Sequence, residues 1–402
     1  MRKIDLNNFQ VATSETARDI NSRIMLNLVR KHQPISRADL MRHSGLQRST
    51  VSVITEQLIA ERWLREGEVG QLPRGRRPTF LHLNEDRAGI FGINVRPFMT
   101  NMALANLEGR FLEQESMVTP SSPDEFVKQI AERVHSLMKE RPQMAYEGIG
   151  VSLPGRVDLS SQKFIFAPNL TWHEEDLKER LERATGLPVD LENEANACAL
   201  SEFWFGRHSD SVSNLIAVAV SEGIGVGMIL NGQIVRGPSG LAGEFGHVSI
   251  NENGPKCGCG NRGCWEVFAS NSAGVRYYTE AKLSKRNGKN HHCKTDVNFE
   301  EVLQLAEQGD LQALEAVDRM AHYLGRGIAM LVTGLAPDVI VVVGEVTRAW
   351  DRLGPIITDV VKQRSYTHPT TRIIASGPAP QPRLRGIIAL VLQKHFGAPT
   401  IA

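Results

Sequence analysis

The chain is 402 residues long, 41% hydrophobic and 23% charged, with a formal net charge of +1, which is enough for two or three compact units of ordinary globular composition. No apolar run reaches the ~20 residues of a membrane span, the polar opening Met1 to Gln10 does not resemble a secretory signal, and 5 cysteines in so long a chain are no disulfide framework. Membrane insertion is therefore not expected, and a cytoplasmic protein is. The charge is unevenly spread: residues 1–83 hold 14 Lys and Arg against 8 Asp and Glu, and the remainder holds 32 against 37. A basic amino-terminal module on an acidic body is the electrostatic footprint of a DNA-binding arm.

Three helical stretches are expected at the amino end. The first runs from about Ala17 to Lys31, with Ile20, Ile24 and Leu28 as an apolar stripe. After Pro34, Ser36 with Asp39 three residues on is a capping-box-like start to a short second helix, and Gly45 suits the left-handed turn that closes it. The third helix spans roughly Gln47 to Ala60. Val51, Ile54 and Leu58 should face inward, leaving Gln47, Arg48, Ser49, Thr50 and Ser52, with Thr55 beyond, to approach phosphates and base edges in a major groove of double-stranded operator DNA. The stretch Pro73-Arg74-Gly75-Arg76-Arg77-Pro78 reads as a thin basic wing whose arginines, Arg74, Arg76 and Arg77, suit a narrow minor groove. The first domain is therefore a winged helix-turn-helix over residues 1–83.

From about Arg87 the texture is α/β. Strands are expected at Gly89 to Val95 and Thr100 to Asn106, joined by a turn at Leu107-Glu108-Gly109-Arg110. An amphipathic helix follows at Phe126 to Lys139, then a buried strand at Gly148 to Leu153. Pro188 to Glu192 leads into a helix from Asn193 to Phe205. Leu215 to Val220 and Val226 to Leu230 read as paired strands, Asn231-Gly232 as a tight turn, and Val339 to Val343 as another buried strand. The strand-rich starts recur in two halves.

Cys257, Cys259 and Cys264 form a C-x-C-x4-C cluster, and His247 lies ten residues before the first of them. Three thiols and an imidazole supply four ligands for a tetrahedral structural Zn2+ with no position left for a catalytic water. Cys198, in an apolar helix, reads as core. His291-His292-Cys293 reads as a solvated polar loop.

The runs Gly240-Leu241-Ala242-Gly243-Glu244-Phe245-Gly246-His247 and Cys257-Gly258-Cys259-Gly260-Asn261-Arg262-Gly263-Cys264-Trp265-Glu266 carry a specific resemblance. Through them the chain resembles the ROK family of bacterial repressors, open reading frames and sugar kinases, and more narrowly its repressor branch. The resemblance spans essentially the whole chain. It implies a two-lobed, actin-like (ribonuclease H-like) sugar-kinase fold behind the winged module. Lobe 1 would cover residues 84–205, completed by a carboxy-terminal helix at about 383–396. Lobe 2 would cover 206–382 and carry the zinc loop 247–264. It also implies that Asn193, Glu194, Glu244, His247 and Glu266 bind a sugar or sugar phosphate in the interlobe cleft. One nitrogen of His247 would hold the metal, leaving the other for a sugar hydroxyl.

The chain departs from the kinase pattern. Where ROK kinases carry an Asp-x-Gly-Gly-Thr phosphate loop, this sequence reads Asn94-Val95-Arg96-Pro97-Phe98-Met99. The second glycine-rich loop, Ser221 to Gly227, places Glu222 where phosphates would be repelled. The adenosine-side glycine pair reads Gly344-Glu345, and the general-base aspartate is replaced by Glu194. Phosphoryl transfer depends on positioning and charge neutralisation, so the expectation is a sugar-responsive repressor, a homodimer or homotetramer on DNA, rather than an enzyme. Two alternatives stand beside it: a repressor controlled by a protein partner from a sugar-transport system, and a residual sugar kinase.

Overall fold

The computed structural model describes residues 13–70, 77–158, 161, 163–166, 170, 172–206, 208, 211–285, 297–365, 370–377 and 381–397. The amino-terminal module comprises α1 (Ser14–His32), β1 (Ile35–Ser36), α2 (Arg37–Ser44), α3 (Arg48–Ala60), β2 (Leu64–Val69) and β3 (Thr79–Leu83). The capping box at α2 is present. Ser36 accepts from the Asp39 amide, Asp39 accepts from the Ser36 amide, and Gly45 closes the helix at φ 70°. β2 and β3 form an antiparallel hairpin, with β1 on the far side of β3. The expected stripe on α1 is rotated. Met25, Leu26 and Val29 are buried, while Ile24 faces solvent. The helix is gripped on a face that Ile20, Ile24 and Leu28 only border.

The body begins with β4 (Ala88–Asn94), β5 (Met99–Asn106), β6 (Phe111–Val118), α4 (Pro123–Glu140), β7 (Ala145–Leu153), β8 (Arg156–Asp158), β9 (Lys163–Phe166), β10 (His173–Glu175), α5 (Leu177–Thr185), β11 (Val189–Asn193) and α6 (Glu194–Phe205). It continues with β12 (Leu215–Val220), β13 (Ile224–Leu230), β14 (Gln233–Ile234), α7 (Glu266–Ala269), α8 (Asn271–Lys285), α9 (Phe299–Glu307), α10 (Leu311–Leu335), β15 (Val339–Val343), α11 (Trp350–Arg364), β16 (Arg372–Ala375) and α12 (Pro382–Phe396). Two five-stranded sheets, ordered β6-β5-β4-β7-β11 and β14-β13-β12-β15-β16, repeat one topology. In each, an antiparallel meander of three strands is extended by two parallel strands. The central strands β4, β12 and β15 are buried along their whole length, as strands covered on both faces must be. The fold is thus the mixed α/β, actin-like arrangement expected.

The repeat places equivalent turns opposite each other. The β4–β5 turn of the first lobe and the β12–β13 turn of the second both open into the space between the sheets. α12 returns to the first lobe and packs on α6 and β4. The approach is close: a Cβ on Gly386 would lie 1.7 Å from the Ala197 carbonyl oxygen.

The winged module is not tethered by a free linker. Met25, Leu26, Val29, Leu64 and Leu83 share one hydrophobic cluster with Ile90, Leu107, Ile388, Val391, Leu392 and Phe396 of the body. Polar contacts rim this seam. Arg87 stacks on Trp63 at 3.6 Å and donates to Glu147 at 2.6 Å, and His395 lies 2.9 Å from the other Glu147 oxygen. Arg30 lies over both Trp204 and Phe396.

Candidate ligand cleft, metal cluster and DNA-facing helix

A cavity of about 510 Å³ opens between the lobes, lined by Asn193, Glu194, Glu244, His247 and Glu266 together. Asn193 caps α6, accepting from the Ala195 amide at 2.8 Å and donating to the Gly155 carbonyl at 2.7 Å. Glu194 follows on the first turn of α6, so the end of β11 fixes both. Glu244 and His247 lie on the short 3-10 turn Glu244–His247. That turn sits hard against β13, where a Cβ on Gly243 would meet the Val226 carbonyl at 2.4 Å and one on Gly246 the Ile224 carbonyl at 2.1 Å. Glu266 starts α7 beside Trp265, which is fully buried and donates to the Tyr323 carbonyl at 3.0 Å. The site's second-lobe wall is therefore anchored in the core.

The four expected ligands converge. One ligand atom from each of His247, Cys257, Cys259 and Cys264 lies within 4.8 Å of the others. His247 Nδ1 is 3.7 Å from Cys257 Sγ, and Cys259 Sγ is 3.7 Å from Cys264 Sγ. A tetrahedral site with Zn–S of ~2.3 Å and Zn–N of ~2.05 Å has edges of about 3.6–3.8 Å, so the spacing fits. The loop is shaped by bridges from Ser249 to Cys264 and from Lys256 to Arg262. Gly263 is required at φ 67°, because a Cβ there would lie 1.6 Å from the Asn251 oxygen. Burial and the neighbouring Glu266 carboxylate, 3.0 Å away, push the Cys257 thiol up; burial likewise raises Cys264, while the Asn261 amide lowers Cys259. Three sulfurs and a carboxylate this close favour thiolates only with a cation among them, which is what this donor set suits. With Nδ1 towards the sulfurs, His247 Nε2 points to Glu244 Oε2 at 3.7 Å.

Several ion pairs at and beside the cleft were not foreseen from the sequence. Glu192 has no exposed side-chain surface, and Arg236 of the second lobe holds it at 2.8 Å. Asn196 and the Asn193 amide also donate to Glu192. Its neighbours in sequence, Leu191 and Asn193, gave no sign that a carboxylate would cross the lobe boundary. Arg96 and Glu222, on the two equivalent turns, approach each other across the cavity at 3.4 Å. Arg383, at the start of α12, donates to Glu194 at 2.8 Å. Burial opposes the charge of Arg383, but the facing carboxylates of Glu194 and Glu345 hold it above its ordinary value. Cys198 is fully buried and its thiol is pushed up to about 12 by that burial.

On α3, Val51, Ile54 and Leu58 are buried; Gln47, Arg48 and Ser49 are exposed, and Thr50 and Ser52 are partly so. Thr55 does not belong to the outer face. It is fully buried, donates to the Val51 carbonyl at 2.8 Å and receives Arg37 Nε at 3.2 Å. Val53, which sequence reasoning passed over, is 54% exposed on the outer face. Arg77 is exposed. Arg74 and Arg76 of the wing, and the His291-His292-Cys293 tract, lie outside the described residues. Among the described residues no helix is long and apolar enough to cross a membrane.

A winged helix-turn-helix fused through a common core to a duplicated, two-lobed actin-like body with a carboxylate-rich cleft defines the class. Residues 91–394 match the ROK family, and the chain belongs to it. It is 34% identical to the xylose repressor of Bacillus subtilis (strain 168) over 362 residues, covering 89% of this chain and 90% of the relative. Among solved structures it is similar to a ROK family transcriptional regulator described as a homologue of the E. coli MLC protein, with TM-score 0.80 and 25% identity over 95% of this chain and 98% of that one. It is also similar to a ROK family glucokinase from Streptomyces griseus in complex with glucose and AMPPNP, with TM-score 0.64 and 28% identity over 75% of this chain and 99% of that one.

Proposed function

We propose that the protein is a sugar-responsive DNA-binding repressor of carbohydrate-utilisation genes, whose operator affinity changes when a sugar occupies the interlobe cleft. The observation that carries this reading is the single hydrophobic core shared by the winged module and the lobe that supplies Asn193 and Glu194. A ligand in the cleft acts on a body to which the DNA-binding helices are rigidly joined. The relatives that match both parts of the chain are named as repressors and regulators, and the xylose repressor makes D-xylose the first sugar to try.

Asn193, Glu194, Glu244, His247 and Glu266 are the proposed sugar-binding groups. Carboxylates and an amide around one cavity suit a polyol, because several charge-assisted hydrogen bonds form together. A structural Zn2+ held by His247, Cys257, Cys259 and Cys264 would fix the imidazole tautomer and leave Nε2 for a hydroxyl. Gln47, Arg48, Ser49, Thr50 and Ser52, with Arg74, Arg76 and Arg77 of the wing, are the proposed DNA-contacting set. Two modules in a homodimer or homotetramer would meet a palindromic site.

Three features argue against a kinase. Asn94 stands where the family's kinases carry an aspartate, Glu222 and Arg96 face each other where phosphates would lie, and Glu194 is engaged by Arg383. The test uses an operator duplex selected from random sequence with this protein. D-xylose should weaken binding by the wild type and fail to do so for Glu244→Gln, with no sugar-dependent ADP release from ATP. Sugar-dependent ADP release would make the protein an enzyme. An operator affinity indifferent to D-xylose and to a panel of other sugars and sugar phosphates would favour control by a protein partner of a sugar-transport system.

A further inference from the structure

α12 touches both functional regions. At its first turn, Arg383 Nε donates to Glu194 Oε2 at 2.8 Å, with only 12% of the arginine side chain exposed. At its last turn, the Phe396 carbonyl accepts from Asn27 Nδ2 of α1 at 2.5 Å, and the Gly397 carbonyl just beyond accepts from Arg23 at 3.1 Å. The Phe396 ring stands edge-on to Trp63 at 6.4 Å. Fifteen residues of helix span ~22 Å between these ends.

The helix has little slack in between. A Cβ on Gly386 would lie 1.7 Å from the Ala197 oxygen, and one on Gly150 would lie 2.2 Å from Ile387 Cγ2. Close-packed interiors do not compress; they answer a local change by shifting whole elements. Glu194 meanwhile belongs to two environments, lining the cavity and holding Arg383. A ligand hydroxyl that donates to Glu194 draws on the same carboxylate that holds Arg383 through Oε2. Glu194 is thus the point at which the cavity and the first turn of α12 meet.

We propose that Arg383 is the positioning residue through which occupancy of the cleft reaches the DNA-binding module, with α12 as the element that moves. The inference rests on the reading of the cleft as a sugar site. It requires that the sugar favour one setting of α12 over another, since a ligand that binds both equally shifts nothing.

The experiment compares full-length wild type, Arg383→Gln, Arg383→Lys and Asn27→Ala. D-xylose affinity is measured by calorimetry and operator Kd by fluorescence anisotropy, with and without D-xylose. Arg383→Gln and Asn27→Ala should bind D-xylose within about threefold of wild type, yet their operator Kd should change by less than about twofold on adding it, against the roughly 5- to 150-fold range of ordinary allosteric coupling expected for wild type. Arg383→Lys, which keeps the ion pair, should restore most of the response. A full response in Asn27→Ala or Arg383→Gln overturns the proposal. Loss of D-xylose binding by Arg383→Gln also overturns it, by making Arg383 part of the sugar site. Should Arg383→Gln fail to fold, Asn27→Ala, at the far end of the helix, decides the matter alone. A wild type that binds neither D-xylose nor any of the panel of sugars and sugar phosphates overturns the sugar reading itself, a result separate from either variant's behaviour; if another sugar of the panel binds, the same comparison is run with that sugar.

Discussion

Glu147→Gln should loosen the seam between the winged module and the body. Glu147 accepts from Arg87 at 2.6 Å and lies 2.9 Å from His395 on α12, with 16% of its side chain exposed. The His395 hydrogen bond, working against the cost of burial and joined by Arg87, lowers its pKa from 4.5 to about 2. That difference corresponds to roughly 3 kcal/mol of native-state stabilisation at neutral pH, an order-of-magnitude figure. The sign follows from the depressed value. The stabilisation is complete above the unfolded-state pKa near 4.5 and disappears as pH falls towards about 2. Urea unfolding followed by tryptophan fluorescence is a suitable assay, since Trp63 sits in this seam. The variant's midpoint at pH 7 should fall by an amount equivalent to about 2–3 kcal/mol, and the gap to wild type should narrow steadily below pH 5. A gap at pH 7 under about 0.5 kcal/mol, the scatter expected of an ordinary surface change, or one independent of pH, would refute the electrostatic account of the seam.

Glu192→Ala removes the buried partner of Arg236 and should lower stability by about 3 kcal/mol in thermal unfolding, at the lower end for broken buried pairs because Arg236 can turn to water. Cys259→Ser should reduce bound zinc, measured by elemental analysis, from about one ion per chain to none, and a chelator should lower the melting temperature of wild type but not of this variant. Arg48→Ala should weaken operator binding across sequences and flatten the slope of log K against log salt by about 1, read by anisotropy titrations at several salt concentrations.

Where one residue type meets one local demand, the sequence was readable. Ser36 and Asp39 announced the α2 cap, Gly45 its end, and the apolar runs Gly148–Leu153 of β7 and Val339–Val343 of β15 their burial. The convergence of His247 with the three cysteines was legible because a C-x-C-x4-C spacing leaves a short loop few other uses. β6 was passed over because its residues Glu113, Gln114 and Glu115 dilute the alternation of an edge strand. The rotation of α1 and the burial of Thr55 were also hidden, being set by tertiary neighbours: α12 and the first lobe against α1, and Arg37 against Thr55. The pairs Glu192–Arg236, Arg96–Glu222 and Glu194–Arg383 were invisible for a related reason. Their partners are 44, 126 and 189 residues apart, and only the closed two-lobed topology brings them together.

The outer flank of α12 makes the protein hard to divide. Val391, Leu392 and Phe396 are covered by Met25, Leu26, Leu64 and Leu83, so a fragment cut after residue 83 would carry a naked apolar stripe on its last helix. Such a fragment should be prone to self-association. The isolated amino-terminal piece would present the matching half of the stripe. Moving the amino-terminal module onto another body would therefore require a matching apolar flank on the recipient's last helix, and the exchange of a linker would not be enough.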